Sequence, residues 1–118
     1  MAINEVDRQT EVAAELSETA RTLAHSTRSV PNGADSYRLI GELSDTIQSL
    51  RYVAYQLGEW HAGAVDGTHF DGDDGSGDGR ACEHTQTHLR NVADLLCKAG
   101  EQVDQAHTEN GRIRWIGN

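Results

Sequence analysis

The strongest constraint on the fold is an apolar stripe within the segment Asp35–His61. Its members recur every three or four residues, which is the spacing of one face of an α-helix: Ile40, Leu43, Ile47, Leu50, Ala54, Leu57 and His61. Leu39, Val53 and Trp60 flank this stripe and widen it. We therefore expect a helix of roughly 40 Å, at 1.5 Å per residue, that meets two neighbouring helices.

Two further segments have the same periodicity. Residues 4–29 carry a weaker stripe, made of Val12, Leu16, Thr19, Leu23 and Thr27. Residues 80–109 carry a third stripe, made of Cys82, Leu89, Val92, Leu96, Ala99, Val103 and Ala106. The chain has one proline and is rich in residues that favour helix. These patterns predict helices at about 4–29, 35–61 and 80–109.

The connections between these segments have turn residues. Pro31 disfavours helix at Val30, and the Asn32-Gly33 pair that follows is typical of a turn. We expect Asp35 or Ser36 to cap the second helix, and such a short connection makes the first two helices antiparallel. Asn110-Gly111 predicts the end of the third helix, because both residues tolerate a left-handed backbone.

The predicted fold is all-α, a single domain over residues 1–118 that forms an antiparallel three-helix bundle. A long acidic loop rich in Gly and Asp, residues 62–79, joins the second and third helices, and a short tail follows at 111–118. Cys82 and Cys97 are the only cysteines. On one helix they would lie about 22 Å apart, beyond disulfide reach, so we expect two buried free thiols in a reducing compartment.

The net charge of −9 limits the classes of partner. An acidic surface repels nucleic-acid phosphates and anionic lipid, so we expect neither nucleic acid nor membrane as a direct partner. The sequence contains no run of about 18 apolar residues, so we expect no membrane span. The first residues, MAINEVDRQT, do not form a basic region followed by an apolar one, as a secretory signal would. A cytoplasmic protein is predicted, with signal-less secretion as the alternative.

The acidic loop contains the beginning of a calcium-binding pattern. Asp74, Ser76 and Asp78 alternate as oxygen ligands do, and Gly79 follows them. The glutamate that closes such a loop at its twelfth position is replaced by Thr85. The sequence therefore leaves open a weak Ca²⁺ site and a solvated acidic loop.

A histidine pair is a second candidate metal site. His84 and His88 are four residues apart, which places both imidazoles on one helical face and suits Zn²⁺. Two more ligands would be required, and His61, His69 or an aspartate of the loop are the candidates. Exposed or packed histidines without a metal are the alternative interpretation.

The motifs of common enzyme classes are missing from the sequence. It has no glycine-flanked nucleophile, no phosphate-binding loop with a lysine and no rigidly placed pair of acids. Cys97 has only Lys98 as a basic neighbour, and adjacent residues on a helix point in different directions. We therefore predict that the protein is not an enzyme and has no catalytic residues or resident cofactor.

The blocks DSYRLIGELSDTIQSL, QLGEWH, VDGTHFDGDDGSGDG and AHTENGRIRW resemble, in this order, a family of small uncharacterised helical proteins of actinobacteria. This resemblance implies a helical fold and no particular activity. A weaker likeness to WXG-type secreted helical hairpins rests on Tyr55-x-x-x-Glu59 and on Trp115-Ile116-Gly117. Here the tyrosine motif lies inside the second helix and the Trp-x-Gly motif near the C-terminus, whereas that family has the latter between its helices.

The functional prediction is a non-enzymatic protein–protein interaction or assembly module that associates with a protein partner, itself as a homodimer included. The residues expected at the interaction surface are Tyr55, Trp60, Ile113 and Trp115. Of these, Ile113 and Trp115 in the tail are expected either to fold back onto the end of the bundle or to pair with another chain. The alternative is a Ca²⁺- or Zn²⁺-responsive binding protein. Further alternatives are a WXG-like secreted helical protein and an acidic polyanion mimic that occupies a basic nucleic-acid-binding protein.

Overall fold

The structure, a computed structural model, describes residues 6–63 and 80–116. Within them it contains a 3-10 turn, Val6–Arg8, and three α-helices: α1 (Gln9–Ser26), α2 (Gly33–Gly63) and α3 (Arg80–Arg112). No strand occurs in this part of the chain, so the predicted all-α class is confirmed. Almost all of the predicted loop 62–79 lies outside the described residues.

Helices α2 and α3 pack against each other as an antiparallel hairpin. Near the start of α2, the Ser36 hydroxyl donates to Oδ1 of Asn110 in the last turns of α3, at 2.8 Å. Near the end of α2, Glu59 accepts a hydrogen bond of 3.0 Å from Arg90 early in α3. Helix α1 packs against neither of them. The predicted packing of all three helices is therefore not confirmed, because only two of them make a common core.

The contact line between α2 and α3, here called the seam, is made largely of small residues. Ala54 and Gly58 of α2 are buried there, as is Ala93 of α3. A Cβ atom built on Gly58 would lie only 3.5 Å from the Cβ of Leu89. Small side chains thus let the two backbones come close, and the close approach maximises dispersion contacts between them.

This seam differs from the predicted stripe. Leu43 and Leu57, both expected to face the core, are 45% and 49% exposed. The physical reason is that the helices meet along the glycines and alanines, and this turns the leucines to one side of the contact line. Helix α2 consequently has one neighbour among the described helices and not the two that its wide apolar face predicts.

The connection between α1 and α2 is capped by side chains. Helix α1 ends at Ser26, earlier than predicted, and the Thr27 hydroxyl donates to the carbonyl of Leu23 at 2.9 Å. Helix α2 begins earlier than predicted, because Oδ1 of Asn32 accepts from the backbone N–H of Asp35 at 2.9 Å. Asn32 is therefore the N-cap, in place of Asp35 or Ser36.

The prediction that Asn110-Gly111 ends the third helix is wrong, since α3 continues to Arg112. The two residues serve packing instead of a turn. Asn110 is buried and bonds Ser36 across the seam, while the bare Cα of Gly111 lets the Tyr37 ring approach. A Cβ on Gly111 would lie 3.1 Å from Cε1 of Tyr37. Contacts with α2 thus outweigh the local preference of these two residues for a turn.

The described part of the tail folds back onto the start of α2. The indole of Trp115 occupies the space where a Cβ atom of Gly33 would lie, and Gly33 is buried beneath it. This contact matches the predicted docking of the tail on the end of the helices. Gly33 has no side chain to obstruct the ring, so a large aromatic residue can lie flat on the backbone there.

We expect Gly33→Ala to displace the Trp115 ring and to lower the free energy of unfolding by about 1–2 kcal/mol, since a methyl group would overfill this contact. The shift of the Trp115 indole N–H resonance in a ¹H–¹⁵N spectrum would measure the displacement. The indole resonance of Trp60, near the other end of α2, is the internal control. An unmoved Trp115 resonance would contradict the packing described above.

In contrast, Gly100→Ala should stabilise the protein by about 1 kcal/mol, because alanine favours helix and the site has room. A Cβ there would lie 3.6 Å from Cγ2 of Ile47, an ordinary contact distance. Gly41→Ala is the matched control, since its Cβ would crowd Nε2 of His107 at 3.3 Å and offset the gain. Urea denaturation of both variants measures the difference, and equal gains would disprove the distinction.

Candidate interaction surface

The hairpin has two unlike sides, and the residues next to the buried alanines define them. Val53 precedes Ala54 on α2 and Val92 precedes Ala93 on α3, so each valine lies about 100° back from the seam. Because the helices are antiparallel, the same rotation on each brings both valines to the same side of the hairpin. Their side chains are 48% and 42% exposed.

This side, here called the uncharged side, extends along both helices. From α2 it contains Leu39, Leu43, Leu50, Val53 and Leu57, and from α3 Val92, Leu95, Ala99 and Ala106. Leu95, at its rim, is 63% exposed. Thr46 and His88, which lie between them, are polar without a permanent charge. Asp35 and Glu42 lie beside Leu39 at one end of this side, so on α2 the stretch free of charge runs from Leu43 to Leu57. Apolar patches of this kind on a protein surface mark contact sites, and the cores of interfaces are poor in charged residues.

The opposite side, here called the charged side, carries ion pairs and polar contacts between α2 and α3. Arg90 and Glu59 form a salt bridge of 3.0 Å there. The hydrogen bond to the Glu59 carboxylate raises the pKa of the Arg90 guanidinium above its ordinary value. Ser44 donates to the carboxylate of Asp104 further along the same side. These contacts hold the register of the hairpin, while both partners of each pair stay accessible to water.

The four predicted interaction residues do not form one cluster. Tyr55 follows Ala54, which places it on the charged side, and it is 51% exposed. Trp60 lies near the C-terminal end of α2, 56% exposed, with its ring edge against His61 at a centroid distance of 4.9 Å. Ile113 and Trp115 lie at the other end of the hairpin, 49% and 47% exposed.

The predicted metal ligands are only partly described. Asp74, Ser76 and Asp78 lie outside the described residues. His84 and His88 are on the first turns of α3 and both are exposed. Within residues 6–63 and 80–116, no group of three or more His, Cys, Asp or Glu side chains is arranged to hold a metal ion. His84 and His88 are therefore two candidate ligands without a third one beside them among the described residues.

Both cysteines lie on α3, as predicted, and both are free. They face towards the seam, where each is partly buried. Their placement agrees with the expectation that one helix keeps the two sulfur atoms out of disulfide reach.

The N-terminal end of α2 holds a cluster that the sequence does not predict. The rings of Tyr37 and His107 stack at a centroid distance of 4.0 Å, beside an open cavity of about 450 Å³. Ser44 and Asp104 line the same cavity. The pairs in this cluster join residues about 60 to 70 positions apart, so no local spacing signals them. The cluster fixes the end of the hairpin, with its ionisable groups in contact with solvent.

Among the described residues, none of the helices is both long enough and apolar enough to cross a bilayer. No family model, curated protein or solved structure matches the chain.

Proposed function

We propose that the chain is a non-enzymatic protein–protein interaction or assembly module that docks an amphipathic helix on the uncharged side of the α2–α3 hairpin. The observation that carries the proposal is the separation of side chains around the hairpin. Leucine and valine occupy one side between Leu43 and Leu57, while the Arg90–Glu59 salt bridge and the Ser44–Asp104 hydrogen bond lie on the other.

The thin core of the hairpin supports this proposal. Among the described residues, the buried hydrophobic ones are Ala54 and Ala93, each 6% exposed. Alanine contributes little apolar area, so much of the apolar surface of the hairpin stays in contact with water. Covering the uncharged side would bury what remains exposed of Leu43, Leu57 and Leu95, about half of each side chain, and would contribute about half of the roughly 1.5–3 kcal/mol that full burial of such a side chain is worth.

A helix docked on this side would complete the three-helix bundle that the sequence predicts. Helices in such bundles insert apolar side chains between those of two neighbours, which requires the two neighbours to present apolar residues on the same side. The uncharged side meets that requirement. Recognition of a helix in an apolar groove is also a common mode of protein–protein association.

The proposal is tested by a matched pair of charge substitutions, Leu57→Asp and Tyr55→Asp. The two side chains are equally exposed, 49% and 51%, and lie on opposite sides of α2. An aspartate buried without a partner weakens binding by several kcal/mol, so Leu57→Asp should abolish association and Tyr55→Asp should leave it intact. Circular dichroism would verify that both variants keep their helix content.

Association is measured by sedimentation velocity over a dilution series, together with affinity capture from the source cells that compares the two variants quantitatively. The proposal requires at least one associated chain, the protein itself or another, to be lost with Leu57→Asp and retained with Tyr55→Asp. Identical behaviour of the two variants, or a monomer that captures nothing, would refute it.

A further inference from the structure

A second apolar surface lies on α1. All of its residues are exposed, including the members of its stripe, with Val12, Leu16 and Leu23 at 37%, 42% and 44%. In proteins most of the stability of a helix comes from packing its amphipathic face, so a surface that buries this stripe would stabilise α1. The chain therefore contains both an amphipathic helix without a packing partner among the described helices and a hairpin side of matching character.

The connection at residues 27–32 keeps these two surfaces apart within one chain. The Thr27 hydroxyl and the Arg28 Nε donate to carbonyls of the last turn of α1, at 2.9 and 3.1 Å. Asn32 caps α2 directly afterwards. Leu23 and Leu39 line an open cavity of about 450 Å³ between the two helices. These hydrogen bonds cap both helices, and among the described residues α1 does not pack on its own hairpin.

We propose that α1 of a second copy of the chain covers the uncharged side, and that the two copies exchange α1 reciprocally. This inference rests on the proposed function and names the partner of the same surface. One contact then covers both apolar surfaces of each copy, whereas a foreign helix in the groove would leave the α1 stripe in water. Exchange of an identical element between protomers is a low-cost route to a dimer.

The dimensions of the two surfaces agree. Helix α1 has 18 residues and is about 27 Å long at 1.5 Å per residue. The interval from Leu39 to Leu57 on α2 covers the same number of steps and the same length. Ala13, Ala20 and Ala24 flank the α1 stripe and permit close approach of the backbone. The acidic residues of α1 meet no like charge between Leu43 and Leu57, whereas Asp35 and Glu42 lie beside Leu39 at one end of the uncharged side.

The surface area buried in the dimer approaches that of a stable interface only when both copies exchange α1. A helix about 27 Å long and 10 Å wide covers roughly 270 Å², and both partners lose surface, so one docked α1 buries about 540 Å². Two docked helices bury about 1,100 Å², close to the roughly 1,200 Å² at the lower end of stable interfaces. We therefore expect a dimer of modest affinity that dissociates on dilution.

The first experiment measures the dimer dissociation constant of the full-length chain by sedimentation for four variants. Leu16→Asp in the α1 stripe and Leu57→Asp on the uncharged side should each weaken the dimer at least tenfold, since each buries an unpaired charge. The matched controls are Ala14→Asp, on the opposite face of α1, and Tyr55→Asp, on the charged side. Both controls should remain within about twofold of the parent, because surface substitutions away from a contact have small effects.

The second experiment establishes which chain supplies α1. A chain in which a photo-crosslinking amino acid replaces Thr46, between Leu43 and Leu50, is mixed with an excess of ¹⁵N-labelled chain. After irradiation, mass spectrometry identifies the cross-linked α1 peptides. Peptides carrying ¹⁵N come from a second copy and are the expected result, whereas unlabelled peptides alone come from the same chain.

A dimer that Leu16→Asp and Leu57→Asp both weaken, with ¹⁵N-labelled α1 peptides, supports the exchange. A monomer with unlabelled α1 peptides overturns it in favour of α1 closing onto its own hairpin. Sensitivity to Leu57→Asp without sensitivity to Leu16→Asp overturns the role of α1 and leaves the proposed function standing. Insensitivity to both substitutions overturns the exchange and, with no captured partner, the proposed function too.

Discussion

The close approach of α2 and α3 along small residues determines the rest of the structure. Ala54, Gly58 and Ala93 remove side-chain volume from the seam, so the two helices approach closely there. Ile47 packs at the seam against Gly100, whereas Leu43 and Leu57 are turned to one side of it. The result is a hairpin with little core of its own, an apolar side and a charged side.

The two sides have different physical roles. On the charged side, the Arg90–Glu59 pair and the Ser44–Asp104 hydrogen bond are accessible to water, so they specify register more than they stabilise the hairpin. On the uncharged side, leucine and valine side chains are exposed to water, so their burial would be favourable. Association through this side, as proposed above, would add stability to the hairpin and would couple folding of the chain to the occupancy of one surface.

Periodicity along the sequence is sufficient to predict the helical class, three helices and their approximate limits. It is not sufficient to predict the seam, because apolar spacing emphasises large residues such as Leu43 and Leu57, whereas backbone approach depends on the positions of glycine and alanine. Asn110-Gly111 shows the same limitation, since a local preference for a turn is outweighed by contacts with Ser36 and Tyr37. The cap at Asn32 follows an established preference, but several candidate caps compete in that stretch. Of the candidate interaction residues, Trp115 is the one whose expected docking on the end of the helices agrees with the observed packing. The leucines of the uncharged side are expected in the core, so the sequence does not indicate them as surface residues.

The indole of Trp115 on Gly33 also bears on how the hairpin opens. An antiparallel helix pair frays from an end at which the two helices are not connected. At the end near Gly63 and Arg80 the chain itself connects them. At the other end Trp115 packs on Gly33, 82 positions away in sequence, so this contact opposes fraying there. Amide hydrogens in the last turns of α3 should consequently exchange through opening of the whole hairpin and not turn by turn.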